Sequence, residues 1–423
     1  MARDSRYPVS VKAGKPVLSC CPRGWDQATL GRYLELAPRK AKLDDNENYD
    51  LVTVKRSRGG VVRRERLQGR DIAVKSQFFI NQGDFLISKR QIIHGACGIV
   101  PKELDGSIVS NEYFVFRGKD NFWLPFMRYL SESLYFQQTC FHSSIGVHVE
   151  KMIFKIDTWL KWKFNIPPLK EQRKIAKILY TWDNAIAIRE QRLANSQQQK
   201  KALMQQLLTG KKRLPGFKGG WRTAKVGEIC ELGTGQGAPQ GEKYFKEGRH
   251  DFLRVSDIGS SVRRYAPPAR DRINDLAVKE KKLKKVPAGA TLFTKSGASL
   301  LLNQRAQLNR DAYVVSHLGF AKANDRTDED FVFYLFLMID FSKIAAGTSL
   351  PALQLSALKK VLVSVPEKSE QKAIARVLSR AGEEVEMLGN EVVLLQLEKK
   401  ALMQQLLTGK RRVKLDEAEQ ATT

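Results

Sequence analysis

Base-methylating sites set a contiguous Asn-Pro-Pro before an aromatic ring, so that the amide accepts from a flipped base's exocyclic amine while the ring stacks on its face. Here Asn165-Ile166-Pro167-Pro168-Leu169 carries Ile166 inside the run and Leu169 in place of the ring, and the later Ser364-Val365-Pro366-Glu367 keeps neither the Asn nor the second proline. A proline entering a helix accounts for both. Gly233-Thr234-Gly235-Gln236-Gly237 has the composition of a phosphate loop, but Ala238-Pro239 follows where a helix N-terminus should receive the anion. A flexible loop between strands is expected there. Asp275, Glu280 and Lys282 have the types of a nuclease's carboxylate-lysine set, yet they belong to the lysine-rich stretch around 279–285, the composition of a solvated face. His94, His142, His148, His250 and His317 show no metal-ligand spacing. No catalytic residue and no metal site is expected.

What recurs instead is basic charge mixed with amides and hydroxyls. In the first half Lys55, Arg56, Ser57, Arg58, Arg63, Arg64 and Arg66 surround Gly59-Gly60, and Lys89 and Arg90 follow a β-like run. In the second half Arg254, Ser256, Arg263 and Arg264 occupy a comparable stretch, with Lys295 and Ser296 next and Asn303 and Arg305 just beyond. Arg and Lys can pair with guanine, and Asn or Gln with adenine, in the major groove, while the rest can hold phosphate. Lys and Arg exceed Asp and Glu by 27. A surplus of that size opposes compaction unless a polyanion neutralises it, and a phosphate backbone is the expected partner. A basic membrane-surface protein is the rival reading. The densest apolar run, 331–339, is far shorter than the roughly 20 residues a bilayer needs. The N-terminus has Arg3, Asp4, Arg6 and Lys12 where a signal peptide needs an apolar core, and the five scattered cysteines form no C-x-x-C pair. A reducing cytoplasm is the expected location.

These residues are positioned by a duplicated framework. The segment from Lys200 to Lys211 returns unchanged from Lys399 to Lys410, an offset of 199 residues, and Glu171-Gln172 returns as Glu370-Gln371 at the same offset. Trp25-Asp26-Gln27 likewise has a counterpart in Trp221-Arg222-Thr223. A period this long lies outside solenoid repeats and means a duplicated domain plus helix. Strands are expected at 49–55, 72–80 and 84–88, and in the second copy at 252–255 and 290–294, with one apolar helical segment per copy at 122–138 and 329–346. The sharpest periodicity follows each globule. Positions stepping alternately by four and three give Ile374, Leu378, Ala381, Val385, Leu388, Val392, Leu395, Lys399, Leu402 and Leu406, with Lys399 the one departure from an apolar seam. The matching seam is Ile175, Leu179, Trp182, Ile186, Leu203 and Leu207, interrupted by Arg189, Ser196 and Lys200. Such helices, about 58 Å long for 171–209, would pair antiparallel and hold two globules apart. Gly382 and Gly389 sit inside the second helix without explanation from the sequence.

The expected organisation is α+β: a loose leader at 1–22, a recognition domain at 23–165, a spacer helix at 166–212, a second domain at 213–364, a second spacer helix at 365–412 and a tail at 413–423. The order domain, helix, domain, helix resembles the DNA specificity subunit of type I restriction-modification enzymes. Gly83-Asp84-Phe85-Leu86-Ile87-Ser88-Lys89, Ile166-Pro167-Pro168-Leu169-Lys170-Glu171-Gln172 and Leu207-Leu208-Thr209-Gly210 are similar to that family's recurring wording. The resemblance covers about 23–412. It implies a non-catalytic subunit that binds double-stranded DNA at a split, asymmetric target and docks two adenine-methyltransferase subunits plus nuclease-translocase subunits. It also implies that S-adenosylmethionine and ATP belong to those partners. The alternatives are a catalytic DNA methyltransferase or nuclease, and a coiled-coil DNA-binding scaffold without sequence specificity.

Overall fold

The computed structural model describes residues 8–258, 264–346 and 351–415, and its helices are α1 (Val9–Lys12), α2 (Met127–Leu130), α3 (Leu134–His142), α4 (Ile156–Trp159), α5 (Leu169–Leu207), α6 (Val226–Ile229), α7 (Val255–Ile258), α8 (Asp275–Glu280), α9 (Glu329–Met338), α10 (Leu355–Lys359) and α11 (Lys368–Leu407). Two compact units divide the chain: residues 1–187 with 394–423, and residues 188–393. Each unit therefore holds one mixed α/β domain and one end of each long helix.

The first domain contains β1 (Asp26–Thr29), β2 (Leu34–Leu36), β3 (Arg39–Ala41), β4 (Asn48–Val54), β5 (Val61–Gln68), β6 (Gln77–Phe79), β7 (Phe85–Ser88), β8 (Cys97–Ile99), β9 (Ile108–Ser110), β10 (Tyr113–Gly118), β11 (Ser144–Ile145), β12 (Ile153–Phe154) and β13 (Lys163–Ile166). Its sheets have the orders β2-β10-β7-β8 and β3-β6-β9-β4-β5, and β1 closes the domain by pairing with β13. β7 is buried at all four positions, because the sheet faces a core that includes Phe85, Phe116, Phe136 and Trp159. The second domain contains β14 (Arg222–Lys225), β15 (Cys230–Thr234), β16 (His250–Leu253), β17 (Asp271–Ile273), β18 (Thr291–Thr294), β19 (Arg305–Gln307), β20 (Tyr313–Val314), β21 (Leu318–Ala323) and β22 (Leu362–Val365). The sheets β15-β21-β18-β19 and β17-β16-β20 repeat the plan of the first domain, and β14–β22 closes it as β1–β13 does.

The expected helix at 122–138 is broken in two. Pro125 starts a short 3-10 turn, and Ser133 caps α3 by accepting from the Phe136 N–H at 3.2 Å. The stretch expected at 329–346 stops at Met338, and Asp340 then caps a 3-10 turn. Residues 8–22, read above as a loose leader, lie on the first domain instead. Gln138 donates to the carbonyls of Ala13 and Gly14, and Asn165 donates to those of Ser19 and Cys20.

In the first unit Ile175, Ala176 and Leu179 of α5 share a core with Met403, Leu406 and Leu407 of α11, so the two helices run antiparallel there. In the second, Met204 and Leu207 share one with Ile374 and Leu378. Ile186, Val385, Leu388 and Val392 are also buried, whereas Trp182, Leu203 and Leu402 are half-buried. The polar seam positions find partners across the pair: Arg189 meets Glu391 at 3.2 Å and Ser196 meets Glu384 at 3.4 Å. Lys399, the exception in the apolar seam, lies 2.7 Å from Asp183 and 3.7 Å from Glu132.

Candidate nucleic-acid interface

The repeated Glu-Gln dipeptide builds each domain onto its helix. Gln172 is fully buried; its carbonyl oxygen accepts from the Trp123 N–H and its amide donates to the Asn121 and Pro167 carbonyls. Gln371 does the same with the Asp328 N–H and the Pro366 carbonyl. The neighbouring glutamates are clamped by arginines that follow the opposite helix's Thr-Gly end. Glu370 accepts from Arg213 at 2.5 and 2.6 Å, and Glu171 accepts from Arg412 Nε at 3.0 Å. Gly210 and Gly409 hold φ of 70° and 67°, the left-handed cap that turns the chain toward those arginines.

On this frame the first domain exposes its cations along one hairpin. β5 is the edge strand of its sheet, and Arg63, Arg64, Glu65 and Arg66 are exposed in sequence. A bulge between Leu51 and Val52 leaves Arg64 without a cross-strand partner, and it pairs with Glu65 at 2.6 Å. Asp50 reaches Arg63 at 2.9 Å and Arg66 at 3.9 Å. At the hairpin tip Ser57 and Arg58 have φ of 55° and 56°, held by N–H bonds to the carbonyls of His94 and Gly95. Lys55 and Arg56 are exposed there. Arg56 donates to Glu150 at 3.0 Å, and His94 Nε2 lies 3.2 Å from that carboxylate. Burial lowers the His94 pKa, against the pull of Glu150. Arg58 turns inward and lines a cavity of about 790 Å³ with Leu130, Tyr135, Phe164 and Met403. Lys89 donates to the Asn111 carbonyl and stands over Phe114, and Arg90 donates to Glu112 at 2.9 Å.

The second domain separates the expected residues into two sets. Arg254 and Ser256 are exposed, Arg254 pairing with Asp271. Lys295 and Ser296 are half-buried, the hydroxyl 2.7 Å from His317 Nδ1. Arg263 lies outside the described residues. Arg264, Asn303 and Arg305 do not face solvent as expected. Arg264 pairs with Asp330, donates to Gln307 and Ser379 at 2.7 Å each, and lies against Tyr265, Phe333 and Tyr334. Asn303, at φ 51°, donates to Asp340 and accepts from the Phe341 N–H. Arg305 is 5% exposed, stacked 3.6 Å over Phe341, and donates to the Gln304 carbonyl and Asn303. Arg264 reaches Asp330 of α9, and Asn303 and Arg305 reach Asp340 and Phe341 just beyond it; β19, which starts at Arg305, is buried at all three positions. The exposed basic set that sequence reasoning missed is Arg270 and Arg272, at and beside β17. No sequence offset announces Arg272, which falls 206 residues after Arg66; the match appears only in the strand register, where Asp251 stands opposite Arg272 as Asp50 does opposite Arg66.

The tempting motifs are structural. Both Asn165 amide hydrogens go to leader carbonyls, and its oxygen accepts from Gln27 at 3.0 Å. A Cβ on Gly235 would stand 2.3 Å from the Val314 and Val315 carbonyls, so glycine is required for packing. Gln236 spans to the Lys282 carbonyl. Asp275 pairs with His250 at 2.6 Å, whereas Glu280 accepts from Tyr244 at 2.7 Å and Lys243 at 3.1 Å, so the carboxylates serve different partners. Among the described residues no group of three His, Cys, Asp or Glu could hold a metal, and no helix is long and apolar enough to cross a membrane.

Residues 22–196 and 218–392 match the family described as the type I restriction modification DNA specificity domain. The chain is 25% identical over 437 residues to the type I restriction enzyme MjaVIII specificity subunit of Methanocaldococcus jannaschii, covering 93% of this chain and 94% of that one. It is 26% identical over 200 residues to the MjaIX specificity subunit of the same organism, covering 46% and 45%. Its fold is similar to that of the type I restriction-modification S subunit from M. genitalium, with a TM-score of 0.58 at 13% identity over 95% of this chain and 100% of that one. A chain from a structure on assembly and conformational transition of the type I R-M system gives 0.57 at 20% identity, over 93% and 100%.

Proposed function

The chain belongs to the type I restriction-modification DNA specificity family, and from that premise we propose that each of its two domains reads one half of a split, asymmetric DNA target. The carrying observation is that one framework is built twice while the exposed loops differ. The Glu370–Arg213 and Glu171–Arg412 clamps and the Gln172 and Gln371 caps are equivalent, yet the first domain presents a long arginine hairpin and the second a short edge strand. Equivalent frames give equivalent attachment to DNA, and unlike base-facing side chains give unlike half-sites.

In this reading the chain is not itself catalytic. Its similar helices seat two adenine-methyltransferase subunits, and nuclease-translocase subunits join the same complex; S-adenosylmethionine and ATP bind those partners. Support comes from the commitment of Asn165, Asp275 and Glu280 to bonds within the domains. The test is a domain exchange. Residues 23–165 are replaced by the corresponding domain of a relative, the chain is expressed with its methyltransferase subunit, and methylated adenines are mapped across the host genome. One half-site should change and the other persist, with no methylation when the chain is expressed alone. Changes in both halves, or methylation by the chain alone, would refute the reading.

A further inference from the structure

The same cross-strand pair occurs in both domains. Asp50 on β4 stands opposite Arg66 on β5, and Asp251 on β16 stands opposite Arg272 on β17. In each sheet the aspartate strand is inner and pairs in parallel on its other side, with β9 or β20, and the arginine strand is the edge. The carboxylates are divided alike. One oxygen of Asp50 holds Arg63 at 2.9 Å and one of Asp251 holds Arg310 at 2.5 Å. The other oxygens lie 3.9 Å and 3.6 Å from the Nε atoms of Arg66 and Arg272. Both aspartates are largely covered, at 19% and 13% exposed, while the two arginine side chains are 62% and 57% exposed.

Edge strands carry charge to discourage pairing with other chains, but any charged residue would serve that end. A shielded aspartate behind each arginine does something more specific. The Nε edge is turned to the carboxylate, and in Arg272 one Nη2 hydrogen also goes to the Arg249 carbonyl at 2.7 Å; each terminal nitrogen still keeps an N–H for the fork that matches guanine O6 and N7. The ion pair orients the fork before DNA arrives, which reduces the ordering cost at binding. We infer that Arg66 and Arg272 are equivalent specificity-determining residues, each reading one guanine in its own half-site, with Asp50 and Asp251 as their positioning residues. The inference rests on the reading of one half-site per domain.

Selection of sites from randomised duplex DNA by the full-length chain tests it, with Arg66→Ala, Arg66→Lys, Arg272→Ala and Arg272→Lys compared against wild type. Each alanine variant should lose preference for one guanine by roughly 10- to 100-fold and keep the other half-site. Each lysine variant should lose the same guanine preference while keeping the wild-type salt dependence, because charge remains and the fork is gone. The lysine variants also preserve the cross-strand charge pair and so guard against a folding defect. Full wild-type selection by the Arg66 or Arg272 variants, or restoration of the guanine by lysine, overturns the inference and leaves the half-site reading standing. Selection of no sequence by wild type overturns both.

Discussion

Glu370 is 2% exposed and is held by Arg213 through two charge-assisted bonds. Removing one partner of such a buried pair strands the other charge, at a cost of about 3 kcal/mol or more. Arg213→Ala should therefore lower stability by about that amount, measured by urea unfolding; a change under about 0.5 kcal/mol would show that water replaces the guanidinium. The repeat made Glu171 and Glu370 visible in the sequence, since both recur at one offset. Their arginine partners were not visible, because Glu370 and Arg213 are 157 residues apart and meet only through the fold. The same limit misplaced Arg264 and Arg305. Nothing near them in sequence announces Asp330 or the Phe341 ring, so a buried arginine there has the same local context as a solvated one.

Among the elements, the long helices were the most legible, because their periodicity is local, while the sheets were not. The parallel pairings of β4 with β9 and of β16 with β20 join segments more than fifty residues apart, and no local pattern encodes them. A Cβ on Gly382 would stand 3.3 Å from Lys200 Nζ, the end of a flexible side chain that a small shift would clear. Burial lowers the pKa of Lys200 and Arg264 lowers it further, whereas Lys399, its counterpart, has Asp183 beside it. Asp183 and Gly382 are themselves 199 residues apart, so the second copy has glycine where the first has that carboxylate, and Glu386 is the acid that pulls the Lys200 pKa upward. Gly389 has nothing within 4 Å of a built Cβ. Gly389→Ala should accordingly stabilise the chain by about 1 kcal/mol through helix propensity. Thermal unfolding measures this, and a loss of stability would mean that the position needs its glycine for a contact outside this chain.

At the scale of the whole molecule, chain order and structural order differ. The end of α11 completes the first domain's core, although the complete second domain lies between them in sequence. Met403, Leu406 and Leu407 are 7%, 2% and 8% exposed, and Arg412 beyond them clamps Glu171. Each of those apolar side chains contributes roughly 1.5–3 kcal/mol by burial, so losing three of them removes about 5 kcal/mol or more. That equals the lower end of a typical domain's total stability. The second domain draws its equivalent residues, Met204 and Leu207 from α5 and Arg213 from the segment after it, and a C-terminal truncation leaves them in place. Ending the chain at residue 398 should therefore unfold or strongly loosen residues 25–166 while 221–365 stay protected. Amide hydrogen exchange resolves the two regions. Loss of protection confined to 221–365, or to neither, would mean that the first domain's core does not depend on the distant helix end.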